Sequence, residues 1–214
     1  MSTQTDRRRR AGGGDEVATR RRVLDAAMST IVECGFYRAS SNEIARRAEV
    51  TWGVIQHHFG TREALMVAVV KDWSEKFAEA IEAADVSGDT TAERIEKLLD
   101  VLAGLYGTPE YLAHIQILLN LEHDPRTGAD VRSAMRATVE RANEPVRRLL
   151  HDAVGPGGAS PTLATTIFHT LRGAVLSQQL LDAMAYDKIG NPARLVPRQR
   201  RILVEMVAAH LDRT

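Results

Sequence analysis

Cysteine is almost absent from this chain: Cys34 stands alone among 214 residues. That excludes an internal disulfide and any metal site built on paired thiolates. Its place near the end of an apolar helical stretch makes it, in expectation, a buried structural thiol. Aromatic residues supply only 5% of the chain. Alternating strand-like runs are missing and Ala and aliphatic residues dominate, which is an all-α composition. No apolar run approaches the roughly 20 residues that span a bilayer. The first residues are polar and Arg-rich, without the apolar segment of a signal peptide. A cytoplasmic protein with no membrane segment is expected. Excess charge is lacking as well, since the net charge is zero, yet the charge is divided. Residues 1–62 hold 11 Lys and Arg against 7 Asp and Glu, and residues 63–214 hold 17 against 21. A cationic end on a mildly acidic body is the footprint of a chain that meets a polyanion at one end only.

The cationic end contains Ser40–Phe59, SSNEIARRAEVTWGVIQHHF. Ser40 precedes Glu43 by three residues, the capping-box spacing. Its hydroxyl can accept from the Glu43 N–H while the Glu43 carboxylate reaches back to the Ser40 N–H. A helix is predicted from Ser41, with Ile44, Ala45 and Ala48 as its apolar stripe and Arg46 and Arg47 pointing away. Thr51 is a second N-cap, opening about two turns from Trp52 to His58. Thr61 caps a third, much longer helix. Such close spacing of caps does not suit a bundle of long helices. It suits a helix-turn-helix, which presents its second helix to the major groove of DNA. A short hairpin buried in a core is the alternative, and it has no use for Arg46, Arg47, Gln56, His57 and His58 together.

At these residues the chain resembles the DNA-binding domain of the TetR (tetracycline repressor) family of bacterial transcription regulators. The resemblance rests on Ser40, Ile44-Ala45, Ala48-Glu49-Val50-Thr51, Gly53, His57-His58-Phe59 and Thr61-Arg62-Glu63-Ala64-Leu65, together with Arg22–Ala27 and Glu33-Cys34-Gly35-Phe36 upstream. It covers about Arg20 to Val70. The chain departs from the family pattern at Glu49, where the turn usually has Gly, at Gln56, where Tyr is common, and at Trp52, where Lys is frequent. The resemblance implies an all-α, TetR-like fold of about nine helices. Residues 1–15 are then a disordered basic arm, 16–62 the helix-turn-helix domain, and 63–214 a ligand-binding and dimerisation domain.

The family's roles carry over at matching positions. Trp52, Gly53 and Gln56 approach base edges: Gly53 permits close approach, Gln56 can pair with adenine, and Trp52 can pack on a thymine methyl or a sugar. His57 and His58 face the DNA backbone. Thr51 combines a cap with a phosphate contact. Arg62 binds phosphate at the start of the long helix, and Ser40, Ser41 and Asn42 supply further donors to phosphate. Arg20, Arg21 and Arg22 in the first helix are within reach of phosphate.

The remaining chain reads as helices at about 62–84, 91–105, 109–121, 129–154, 161–185 and 197–211. Pro145 is expected to kink or split the fourth of these near Asn143. Residues 155–160 and 187–197 read as loops. Two partners follow from the resemblance. A small apolar or amphipathic effector lies among Trp73, Phe77, Leu102, Tyr106, His114, Ile117, Leu118, Leu121, Phe168 and Arg172, with Met135 and Val139 nearby. Arg172 can pair there with a carboxylate or phosphate of the ligand. The second partner is another copy of the chain, joined through helices 161–185 and 197–211, so that two reading helices meet a palindromic operator.

The expected function is a repressor released from its operator by that ligand. A ligand-independent architectural DNA-binding protein and a helical enzyme are the competing readings. The enzyme lacks a site: no HExxH, CxxC, phosphate loop or nucleophile elbow occurs. Adjacent His57 and His58 point about 100° apart on a helix and rarely chelate one ion. No cofactor and no metal are expected.

Overall fold

A computed structural model describes residues 3–155, 161–183 and 192–213. Among them the chain forms α1 (Thr3–Cys34), α2 (Ser41–Arg47), α3 (Trp52–Phe59), α4 (Arg62–Glu82), α5 (Thr91–Tyr106), α6 (Pro109–His123), α7 (Ala129–Val154), α8 (Pro161–Ala183) and α9 (Pro192–Leu211), with no strand. Two compact units result: Met1–Ser74 with Leu112–Val139, and Glu75–Tyr111 with Glu140–Thr214. The boundary expected near Arg62 falls inside the first unit, which also takes most of α6 and the start of α7. An unbroken stripe of Leu65, Val69, Phe77 and Ile81 is buried along α4, so no change in its pattern marks the border.

The first unit closes on one core. Val23, Leu24, Ala27 and Ile31 of α1, Ile44 and Ala45 of α2, Ile55 of α3, and Leu65, Met66, Val69 and Val70 of α4 are buried there with Ala113, Ile117 and Leu121 of α6. Gly35, at φ +82°, ends α1 in the left-handed conformation that suits glycine at a helix end. In the second unit α5 packs against α8 and α9. Its Ile95, Leu98, Leu99 and Leu102 are buried, as are Ile167, Phe168 and Leu171 of α8 and Val204, Ala208 and Leu211 of α9. A full capping box starts α5: the Thr90 hydroxyl accepts from the Glu93 N–H at 3.2 Å, and the Glu93 carboxylate accepts from the Thr90 N–H at 3.4 Å.

Several expectations need correction. Helical backbone continues upstream through 3–15, where a disordered arm is predicted. Helix α9 begins at Pro192 rather than Pro197. Pro145 neither ends nor splits α7. A proline inside a helix costs about 3 kcal/mol, whereas burial of Val146, Leu149 and Leu150 contributes about 1.5–3 kcal/mol each. Cys34 is exposed, not buried, because it faces away from the stripe of Val23, Ala27 and Ile31. Of the predicted loops, 156–160 and 187–191 lie outside the described residues. Among the described residues no helix is long and apolar enough to cross a membrane.

Candidate nucleic-acid interface

The helix-turn-helix is held by local bonds that its sequence dictates. The Ser40 hydroxyl accepts from the Glu43 N–H at 3.2 Å, the Thr51 hydroxyl from Val54 N–H at 3.4 Å, and the Thr61 hydroxyl from Ala64 N–H at 3.1 Å. All three predicted caps are present. The return half of the first capping box is not. The Glu43 carboxylate turns instead to Arg46, at 2.9 and 2.7 Å, and to Arg47, at 2.7 Å. A charge-assisted bond to a guanidinium outweighs one to a neutral amide. Arg46 first, and Arg47 second, lower the Glu43 carboxyl to about 2.

Between the helices, Val50 N–H donates to Ala45 C=O at 3.0 Å and Glu49 N–H to Arg46 C=O at 3.3 Å. These are the paired bonds of a Schellman motif, which needs a left-handed residue after the C-cap. Glu49 takes that conformation at φ +55°. The departure from glycine therefore keeps the turn and accepts the backbone strain.

Ile55 anchors α3 with no exposed surface. Gly53, Gln56 and His57 lie outward on the same helix and are exposed. A Cβ built on Gly53 meets only the Thr51 hydroxyl oxygen, at an ordinary 3.7 Å. Nothing inside the protein requires glycine there, although glycine in a helix costs about 0.5–1 kcal/mol relative to alanine. Ser40, Asn42 and Thr51 are exposed, while Ser41 and His58 are partly covered. The His57 and His58 rings stand 5.5 Å apart at 70°. Trp52 is partly buried and packs against the core.

Arg62 also has an occupation the sequence does not reveal. Its guanidinium donates to Phe36 C=O at 3.0 Å and Ala39 C=O at 3.3 Å, and lies 4.6 Å from the Phe36 ring centroid. Burial lowers its pKa. It clamps α4 to the α1–α2 connection. Arg21 is engaged similarly, with Asp25 and, at 2.8 Å, Asp72. Arg47 adds a 2.7 Å bond to Glu33. Arg20, over the Phe59 ring at 5.1 Å, and Arg22 remain exposed.

The ten effector candidates separate into two sets. Trp73, His114, Ile117, Leu118 and Leu121 belong to the first unit, where the Trp73 and His114 rings stack at 4.2 Å. His114 is buried, and desolvation lowers its pKa to about 4. Phe77, Leu102, Tyr106, Phe168 and Arg172 belong to the second unit. Ring centroids there lie 5.3 Å apart for Phe77 and Tyr106 and 6.2 Å for Tyr106 and Phe168. Tyr111, which the sequence reading omits, sits 4.8 Å from Tyr106. Among the described residues no group of three or more His, Cys, Asp or Glu is placed to hold a metal.

The sequence profile described as "Bacterial regulatory proteins, tetR family" matches residues 23–69, the stretch from mid α1 to the first half of α4. Over this stretch the chain carries a DNA-binding domain of the TetR type. The HTH-type transcriptional regulator BetI of Cronobacter sakazakii is 36% identical over 70 residues, 33% of this chain and 35% of that protein. The chain thus matches about a third of the length of such curated relatives. Solved structures extend the likeness in fold to about nine-tenths of the chain. A TetR-family regulator from Mesorhizobium loti superposes with a TM-score of 0.69 at 18% identity, covering 91% of this chain and 96% of its own. FadR from Bacillus subtilis, solved in complex with stearoyl-CoA, gives 0.59 at 18% identity, covering 87% and 96%.

Within this TetR-family domain, sequence reasoning missed the Glu43–Arg46–Arg47 network and the inward turn of Arg62. The first had a signal in the three- and four-residue spacing on α2. The second had none, because Phe36 and Ala39 meet Arg62 only after the chain folds.

Proposed function

We propose that the protein is a cytoplasmic transcriptional regulator, acting as a repressor, whose two subunits insert α3 into successive major grooves of a palindromic operator. Gly53 carries this reading: a helical glycine that its own fold does not need, on an exposed face beside Gln56 and His57. A backbone uncovered there lets DNA approach closely. In this reading Gln56 addresses a base edge, and Ser40, Ser41, Asn42, Thr51, His57 and His58 contact the sugar-phosphate backbone. Trp52 and Arg62 position α3 and α4.

Dimerisation through α8 and α9 belongs to the same proposal. Leu180, Ile202 and Met206 expose 48%, 47% and 65% of their surface, and nothing lies within 4 Å of a Cβ built on Gly173. Two subunits related by a two-fold axis read half-sites about 34–36 Å apart, or somewhat more. A ligand bound in the second unit can then act on operator affinity through that spacing. The fatty acyl-CoA held by the similarly folded FadR supports an amphipathic effector of this kind.

The test is selection of bound duplexes from a random pool by the full chain, followed by sedimentation of the complex. A palindromic consensus bound by two subunits is expected. A monomer, or binding without sequence preference at low salt, overturns the proposal.

A further inference from the structure

Among its described residues, the second unit contains a cation with no counter-ion. Arg172 of α8 places its guanidinium carbon 5.3 Å from the Tyr106 ring centroid and 5.7 Å from that of Phe168. Among the described residues it makes no hydrogen bond and no ion pair. It is only partly exposed, while the rings beside it are buried, Tyr106 to 3%, Phe168 to 8%, Phe77 to 4% and Tyr111 to 4%. The Tyr106 hydroxyl likewise makes no hydrogen bond among the described residues. Aromatic faces attract a guanidinium but leave its five N–H donors unsatisfied. Elsewhere in the unit arginines find acceptors: Arg94 bonds Ala153 C=O at 3.0 Å, Arg148 bonds Glu82 at 3.3 Å, and Arg200 bonds Asp100.

We propose that Arg172 and the Tyr106 hydroxyl form the anion subsite of the effector pocket, and that the effector is an amphipathic monocarboxylate whose apolar body lies against Phe77, Tyr106 and Phe168. A planar guanidinium offers two parallel donors that match a carboxylate, and the phenol supplies a third. One cation among apolar rings balances one negative charge. A phosphate dianion leaves a second charge uncompensated in an apolar site, which is unfavourable. This inference rests on the effector reading above and gives that effector its chemical class.

The experiment measures binding to the full chain, without DNA, by titration calorimetry. The probes are 4-butylbenzoate and octanoate, each compared with its primary amide, and 4-butylphenyl phosphate. The carboxylates are expected to bind saturably and at least tenfold more tightly than the amides and the phosphate. Arg172→Met should abolish the difference between acid and amide while leaving amide binding in place. Tyr106→Phe should weaken the acids severalfold and spare the amides, and it serves as the second variant if Arg172→Met does not fold. No saturable binding of either acid, equal affinity for acid and amide, tighter binding of the phosphate, or discrimination that survives Arg172→Met overturns the proposal. Operator binding by the unliganded protein is scored separately, so loss of the anion subsite and loss of the DNA reading are told apart. Carboxylate binding that leaves the operator complex intact upholds the subsite and refutes its role as the effector site.

Discussion

The Arg62 guanidinium lies 4.6 Å from the centroid of the Phe36 ring and donates at 3.0 Å to that residue's own carbonyl. One side chain at the start of α4 thereby fixes the connection that leads into α2. In the proposed reading its effect on DNA binding acts through the fold. Arg62→Ala should cost about 1–3 kcal/mol of stability, the range for lost hydrogen bonds from a charged group to part-buried acceptors. Arg62→Lys should recover little, because an ammonium cannot reproduce the planar fork. The slope of log affinity for DNA against log salt should stay unchanged in both variants. A slope reduced by about one unit would make Arg62 a phosphate contact after all.

Glu49 holds φ +55° in the turn between α2 and α3. A left-handed conformation costs a non-glycine residue roughly 1–2 kcal/mol, part of which glycine returns through its freer unfolded chain. Glu49→Gly should therefore stabilise the protein by about 0.5–1 kcal/mol, read as a higher urea midpoint at constant m-value. Glu49→Ala should give no gain, since alanine keeps the Cβ. Equal gains from both would place the effect in the lost charge instead of the backbone.

These two residues also mark how far the sequence could be read. The turn at Glu49, the caps at Ser40, Thr51 and Thr61 and the stripes of α1, α2 and α4 are local features, set by neighbours within one or two helical turns, and the residue pattern displays them. The half-formed capping box was less legible, because Glu43 had three possible partners and the pattern does not rank them. The inward turn of Arg62, the bond from Phe36 N–H to Gln116 at 3.1 Å across 80 residues of sequence, and the division of the effector candidates between two units are tertiary. No spacing in the chain encodes them. Trp52 shows the same limit at closer range: its partial packing against the core is not encoded by its spacing.

Glu43 is bonded to both Arg46 and Arg47, and the lowering of its carboxyl to about 2 keeps it ionised throughout the physiological range. Two cations next to α3, the proposed reading helix, are thus partly neutralised by one anion. Glu43→Gln should steepen the salt dependence of DNA binding and raise affinity for random duplexes more than for the operator, because phosphate attraction carries no sequence information. An unchanged salt slope would show that neither guanidinium approaches the duplex.

His114 stacks on Trp73 and is 3% exposed, and desolvation lowers its pKa from 6.5 to about 4. Between those values the unfolded chain binds a proton that the folded chain refuses. The stability linked to neutral His114 is therefore complete above pH 6.5 and is lost as pH falls toward 4, at up to about 1.4 kcal/mol per pH unit. Urea denaturation at stepped pH should show that slope in the parent protein and a shallower one in His114→Phe, in which no group titrates at this position. Parallel slopes would assign the acid sensitivity to other groups.

Gln56 is the exposed side chain of α3 best suited to reading sequence, since its amide can donate and accept at once on the N6 and N7 edge of an adenine. His57 beside it is exposed too, and in the proposed reading it meets the sugar-phosphate backbone, where every base pair is alike. Gln56→Ala should therefore cost about 1–3 kcal/mol on the selected operator and relax the consensus at one position in each half-site. His57→Ala should weaken all sequences about equally. Binding sites selected with each variant and compared base by base decide between them. A consensus unaltered by Gln56→Ala would remove the readout from Gln56 and leave Gly53 and the neighbouring backbone to account for specificity through the shape of the groove.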